Sequence, residues 1–144
     1  MIISPDSFLI SNGLYYWTPS RAGKAWKDAK ELFAYASEFY SDYPIYLTCG
    51  LPGSGKSTWA KVQTNKLIFD ATLTKLSDRN KVRSWAGRPV HCVFFDTPLE
   101  ICLERNSQRT PDRIIGADVI QRMVTQLVPP TKEEGFLSLE KYPR

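Results

Sequence analysis

Gly50-Leu51-Pro52-Gly53-Ser54-Gly55-Lys56-Ser57 stands directly after the apolar run Ile45-Tyr46-Leu47-Thr48-Cys49 and before a short helix-forming stretch that ends near Gln63. No other feature of the chain limits its fold so tightly. The spacing is G-x-x-x-x-G-K-[ST] in strand–turn–helix context, and the residue types are those a polyphosphate demands. Glycines let backbone N–H groups turn inward around anionic oxygens with no Cβ in the way. A helix starting near Gly55 adds unpaired amides and its positive dipole end. Lys56 is a mobile point charge for outer phosphates, and the Ser57 hydroxyl is a ligand of the kind Mg²⁺ takes.

The rest of the chain alternates strands with helices, the pattern of a parallel sheet covered on both faces. Strands are expected over residues 1–4, 45–49, 66–70 and 90–95. Thr18, with Pro19 behind it, caps a helix whose apolar positions are Ala22, Ala25, Trp26, Ala29, Leu32, Phe33, Ala36 and Phe39. Ser77 is the expected cap of a helix carrying Val82 and Trp85 and closed by Gly87 and Pro89. Thr97-Pro98-Leu99-Glu100 has capping-box spacing, and a last helix bearing Val119, Ile120, Met123 and Leu127 stops at Pro129-Pro130. Beyond it no period is visible. The fold class is therefore α/β, a three-layer sandwich around a mostly parallel sheet. With 144 residues and neither repeat nor linker, residues 1–144 are expected to form one domain.

Composition adds exclusions. No apolar run approaches the ~20 residues of a membrane span, so no membrane partner is expected. Three cysteines, Cys49, Cys92 and Cys102, form no C-x-x-C and argue against a disulfide framework or a zinc site, which makes the reducing cytoplasm the default location. The excess of 19 Lys and Arg over 15 Asp and Glu suits a polyanionic ligand without demonstrating one. Two carboxylates end apolar strands. Asp70, on the strand expected beside the loop's own strand, is placed near the metal with Ser57, and Asp96 is assigned to ordering the Thr97 cap. A carboxylate bonding local backbone is the alternative for each.

The loop continued by Thr58-Trp59-Ala60-Lys61 closely resembles the P-loop of bacteriophage-type polynucleotide 5′-kinases. Glu104-Arg105-Asn106-Ser107-Gln108-Arg109 and the helix that follows resemble that family's lid, here residues 105–117. Phe69-Asp70-Ala71-Thr72 with Arg79 resembles its third-strand segment, and Ile3-Ser4-Pro5-Asp6 the strand ending in its catalytic aspartate. The resemblance implies a P-loop kinase with ATP as donor, Mg²⁺ as cofactor and the 5′-hydroxyl end of a nucleic acid as acceptor. It makes Gly53, Ser54, Gly55, Lys56, Ser57, Thr58, Arg105 and Arg109 the nucleotide-binding set, with Asp6, Lys56 and Arg109 catalytic. Asp6 would accept the proton of the attacking hydroxyl, and Arg109 would cover transition-state charge. By its residues alone, Ser4-Pro5-Asp6 reads equally well as a turn.

The order of segments departs from that family, in which the P-loop comes first. A permuted arrangement is expected to keep the spatial strand order 1–4, 66–70, 45–49, 90–95. Arg105, Arg109 and Arg113 recur every four residues and would share one face of a helical lid. Leu9 occupies the position where the family carries an arginine that holds the acceptor's phosphate, and Arg21 or Lys24 are the candidates to replace it. Tyr15, Tyr16 and Trp17 form either a stacking platform for a base or satellite core, Arg79 supports the site or touches substrate, and His91 is structural. Two other readings stand beside polynucleotide phosphorylation. One is a P-loop kinase of a small hydroxylated metabolite or antibiotic, and the other is an ATP-binding module with little transferase activity. Oligomeric state is not legible.

Overall fold

The computed structural model describes residues 1–143, and Arg144, the end of the expected single unit, lies outside them. The chain opens with β1 (Ile2–Ile3), a 3₁₀ turn at Pro5–Leu9, and a hairpin of β2 (Ile10–Ser11) and β3 (Leu14–Tyr15). Then come α1 (Pro19–Phe39), β4 (Ile45–Gly50), α2 (Lys56–Lys61), β5 (Leu67–Phe69) and α3 (Leu76–Ala86). The remainder is β6 (His91–Phe95), α4 (Leu99–Ser107), a 3₁₀ turn at Pro111–Arg113, α5 (Ala117–Gln126), a 3₁₀ turn at Lys132–Glu134 and β7 (Leu139–Tyr142).

The central sheet has the order β1-β5-β4-β6-β7 with every pairing parallel. Four of these strands fall in the expected spatial order, and β7 joins as a fifth. Its Leu139-Glu140-Lys141-Tyr142 sequence escapes a periodicity search because an edge strand with mixed polarity needs no buried face on each side. β4 sits in the middle and reads as a nearly unbroken buried run. Its alternate residues Ile45, Leu47 and Cys49 join Leu67, Phe69, Cys92 and Phe94 in the main core. α1 covers that face with Ala29, Phe33 and Ala36, small residues that let the helix close onto the strands while Phe33 meets the Phe69 ring at 5.0 Å. The opposite face carries Tyr46, whose ring packs against Trp59 of α2 at 5.9 Å.

Local signals explain most boundaries. Thr18 Oγ1 accepts the Arg21 N–H at 3.1 Å with Pro19 opening α1, as the sequence predicts. Asn12 and Gly13, at φ +52° and +79°, make the two-residue turn that closes the β2–β3 hairpin. His91 stacks on Tyr46 at 4.6 Å and meets Ser138 Oγ at 2.7 Å, a structural role as expected. Two caps differ from expectation. α3 starts after Lys75 with no side-chain cap, so Ser77 lies inside the first turn. α4 has Pro98 at its N-cap, and Thr97 gives its hydroxyl to Ser54 O at 2.7 Å instead of to the helix. Asp96 pairs with Lys141 at 3.1 Å across to β7 and orders no cap.

Arg79 is the largest fully buried side chain. Its Nε and Nη2 donate to the two Glu134 oxygens at 2.9 and 3.0 Å, and Nη1 donates to Leu73 O at 2.9 Å. Leu73 has φ +45°, a conformation a branched side chain adopts only when its surroundings hold it. Arg79 therefore pins the segment after β5 to the C-terminal Lys132–Glu134 turn. It is fully buried and lines neither cavity of the site, so of its two expected roles this placement matches support of the site and not contact with substrate. Replacing Arg79 leaves the buried Glu134 carboxylate without its cation and takes one donor each from the Leu73 and Thr74 carbonyls. Arg79→Met is expected to cost about 3–5 kcal/mol of unfolding free energy, read from urea denaturation midpoints. Lys24→Met, which breaks only the exposed pair with Asp28, should leave the midpoint in place.

Candidate active site

The site is built at the C-terminal edge of β1, β5 and β4, where a parallel sheet leaves room for ligands. The pairing of Ile3 with Phe69 brings the ends of β1 and β5 level, and Asp70 N–H donates to Ile3 O at 2.8 Å. Asp6 in the turn after β1 and Asp70 after β5 thus arrive on one rim, 64 positions apart in sequence.

The phosphate loop, residues 50–57, is shaped by its contacts with α4. Gly53 has φ +80°, and a Cβ there would lie 2.7 Å from the Cys102 carbonyl, so glycine alone lets the loop seat against that helix. Arg105 Nη1 donates to Gly53 O at 3.2 Å and Thr97 Oγ1 takes Ser54 O. In a trans peptide, a Ser54 carbonyl held outward turns the Gly55 N–H to the opposite side. Ser54 itself is buried and lines neither of the two cavities at this rim.

Lys56 is 8% exposed, and its Nζ donates to Leu51 O at 2.7 Å. Burial pushes its pKa down to about 8, against the pull of the nearby Asp70 charge. Asp70 is held from two sides: Thr48 Oγ1 donates to its Oδ1 at 3.0 Å and Ser57 Oγ to its Oδ2 at 2.8 Å. Adjacent hydroxyl and carboxylate oxygens are hard ligands of the type Mg²⁺ prefers, and Mg²⁺ habitually takes few protein ligands with the remainder from water and phosphate. No cluster of three or more His, Cys, Asp or Glu occurs among the described residues. Ser57 and Asp70 therefore fit an ion that arrives with a nucleotide.

Two cavities meet at this rim. One, about 710 Å³, is lined by Gly53, Gly55, Thr58, Trp59, Arg105 and Tyr142 among others. The second, about 810 Å³, is lined by Asp6, Tyr15, Trp17, Trp26, Asp70 and the inward face of α5, residues 119, 122, 123 and 126. Lys56, Ser57 and Arg109 line both and form the wall between them. Asp6 is open to solvent on one side, yet burial in the second cavity and the Asp70 charge raise its pKa, while Lys56, Arg109 and the Tyr15 hydroxyl counter that rise. Burial, then the Asp6 charge and hydrogen bond, raise the Tyr15 phenol to about 12, so it stays a donor.

The expected residues thus separate. Asp6, Lys56, Ser57, Asp70 and Arg109 converge, and Gly53, Gly55, Thr58 and Arg105 line the first cavity. Arg21 does not join them: its Nε donates to Tyr16 O at 3.0 Å and its Nη2 to Leu9 O at 3.3 Å. Tyr16 is 61% exposed outside the cavity and carries the Arg21 guanidinium on its ring, whereas Trp17 does line the second cavity. The arginines at 105, 109 and 113 do not share one helical face. α4 ends at Ser107 and Pro111 starts a separate 3₁₀ turn, which sets Arg109 and Arg113 on different segments. Sequence reasoning passed over Trp26, Met123 and Arg122 in the second cavity and Trp59, Phe95 and Tyr142 in the first. The i, i+3, i+4, i+7 spacing of residues 119, 122, 123 and 126 was the available signal for α5.

No helix among the described residues is long and apolar enough to cross a membrane. A comparison with curated proteins returns no match. Residues 62–130, just under half of the chain and all beyond the phosphate loop, match the AAA domain family. A gluconokinase from Sinorhizobium meliloti 1021 is similar in structure, with a TM-score of 0.53 and 15% identity over 68% of this chain and 81% of that one. Together with the parallel sheet and its helices, these likenesses establish a P-loop kinase-like fold, a class that in general works on ATP with Mg²⁺.

Proposed function

We propose that the chain is an ATP-dependent kinase that phosphorylates a hydroxyl group on a small acceptor. The observation that carries this reading is the shared wall: Lys56, Ser57 and Arg109 stand between a cavity edged by the phosphate loop and one edged by Asp6. Phosphoryl transfer needs positioning and charge cover more than covalent help from the protein. ATP would lie in the loop cavity with its outer phosphates on Lys56 and the loop amides. Mg²⁺, held by Ser57 and Asp70, would supply further charge neutralisation. Asp6 would orient the acceptor hydroxyl and take its proton, and Arg109 would bridge the two halves of the reaction.

The second cavity supports the small acceptor. Its volume of about 810 Å³ suits a compact molecule. Leu9, 3% exposed, is core and offers no phosphate contact. Neither candidate replacement compensates: Arg21 is spent on the carbonyls of Leu9 and Tyr16, and Lys24 pairs with Asp28 at 2.8 Å. A polynucleotide 5′-hydroxyl is the second reading. Trp17 and Trp26 on the cavity wall favour it, since aromatic faces accept a base, and so does the family resemblance of the loop and lid. The strand order supports a permuted arrangement, with the Asp6 strand and α1 moved ahead of the loop in a single domain. Three buried free thiols suit a reducing cytoplasm.

Labelled ATP offered with 5′-hydroxyl DNA and RNA oligomers, nucleosides, sugar acids and aminoglycosides separates these readings. Label on a small alcohol is the expected result, label on oligomers alone selects the second reading, and nucleotide binding with no transfer sinks both. With an accepted substrate, Asp6→Asn is expected to lower turnover by the ~10²–10⁴-fold typical of a lost general base while ATP affinity holds, as steady-state kinetics and calorimetry would show. ATP affinity also depends on pH through Lys56. Because the free protein loses the Lys56 proton near pH 8 and phosphates favour its charged form, affinity should be flat below about 8 and fall as pH rises beyond it. Titrations at pH 7, 8 and 9 test this, and Lys56→Ala should bind weakly with no such fall.

A further inference from the structure

Two segments remote in sequence meet at Tyr15. Its backbone N–H donates to Asp112 Oδ2 at 2.8 Å, across 97 positions, joining β3 to the Pro111–Arg113 turn of the lid. That bond, the largest influence on the Asp112 carboxyl, holds it below its ordinary pKa. Tyr15 and Asp6 also line the second cavity together, and each raises or lowers the other's pKa there. Both ends of the connection are stiff. The hairpin is closed by the Asn12-Gly13 turn, and Arg21 fastens its flanks through Leu9 O and Tyr16 O. On the lid side, buried Asn106 donates to Ile115 O at 2.7 Å and accepts Ile115 N–H at 3.0 Å, closing residues 106–115 into one loop that carries Arg109 and Asp112 together.

We propose that Tyr15 and Asp112 form a clasp that fixes the lid loop against the N-terminal hairpin and thereby holds Asp6 and Arg109 in register across the acceptor cavity. Tyr15 is a positioning residue in this arrangement. A displacement of the lid is transmitted through the Tyr15 main chain to the phenol and so to the carboxylate it orients. The other charged groups around the pair, Asp70, Lys56, Arg109 and Arg113, set the local field, and the Tyr15–Asp112 hydrogen bond sets direction. The functional half of this inference rests on the kinase reading, whereas the clasp itself does not.

The full-length chain tests both halves. Amide hydrogen exchange, with and without Mg²⁺ and a non-hydrolysable ATP analogue, should show Tyr15 protected in the native protein. Asp112→Ala should lose that protection and speed exchange across residues 109–115. Asp112→Asn keeps a carbonyl acceptor and should restore both. In ADP release from Mg·ATP with water as acceptor, Tyr15→Phe should lower kcat by about tenfold, the scale of one hydrogen bond to a charged group, with the KM for ATP unchanged. Asp112→Ala should do the same, and the double variant should fall no further than the worse single. Unchanged exchange in Asp112→Ala, additive losses, or a change in KM alone would overturn the clasp. A native protein that releases no ADP would instead count against the kinase reading, and the exchange measurements would then decide the clasp by themselves.

Discussion

Asp70 is the fixed point of this molecule. A carboxylate 6% exposed at the end of a central strand must have its oxygens satisfied, and the chain does so with Thr48 from β4 and Ser57 from α2. Those two bonds set where α2 begins relative to β5. The start of α2 in turn decides how far Lys56 is drawn from water and on which side of the loop its amides face. The two cavities lie on either side of this line because Ser57 and Lys56 line both. Without Asp70 the loop would still follow β4 and seat on α4, but Ser57 would lose the bond that ties the start of α2 to the rim where Asp6 arrives.

Much of this was legible before any coordinates. The glycine loop between strand and helix and the capped α1 were enough to predict an α/β sheet, and the family resemblance with a permuted order of segments supplied the strand order that is observed. What stayed hidden depends on partners that a local reading does not see. Thr97 has the right neighbours for a cap, yet the Ser54 carbonyl lies closer to hand and takes its hydroxyl. Arg79 and Arg21 look like ligand-binding cations in a motif, but a guanidinium has five donors and is equally suited to gathering carbonyls, which is what both do. β7 carries no alternation because it is the last strand of the sheet among the described residues, and its identity comes from β6 beside it.

Residues 105–113 show how spacing misleads when a proline intervenes. Arginines at every fourth position predict one helical face, but Pro111 cannot continue a helix, and Asn106 closes the chain into a loop after α4 instead. The outcome is more useful than a straight helix. Arg105 stays with the loop and binds Gly53 O, while Arg109 is carried to the wall shared by both cavities. One stretch of basic sequence therefore serves two purposes, anchoring the phosphate loop and facing the space where charge would move.

Leu9 explains why the turn after β1 contributes no cation to the second cavity. With its side chain in the core and its carbonyl bound by Arg21, the turn after β1 is committed to packing against α1, and the chain leaves it directly into the β2–β3 hairpin. A guanidinium at that position would have to be taken out of water or would displace the hairpin. Burying Leu9 thus favours the hairpin, and the hairpin brings Tyr15 to a cavity whose cations, Lys56, Arg109 and Arg122, come from other segments of the chain.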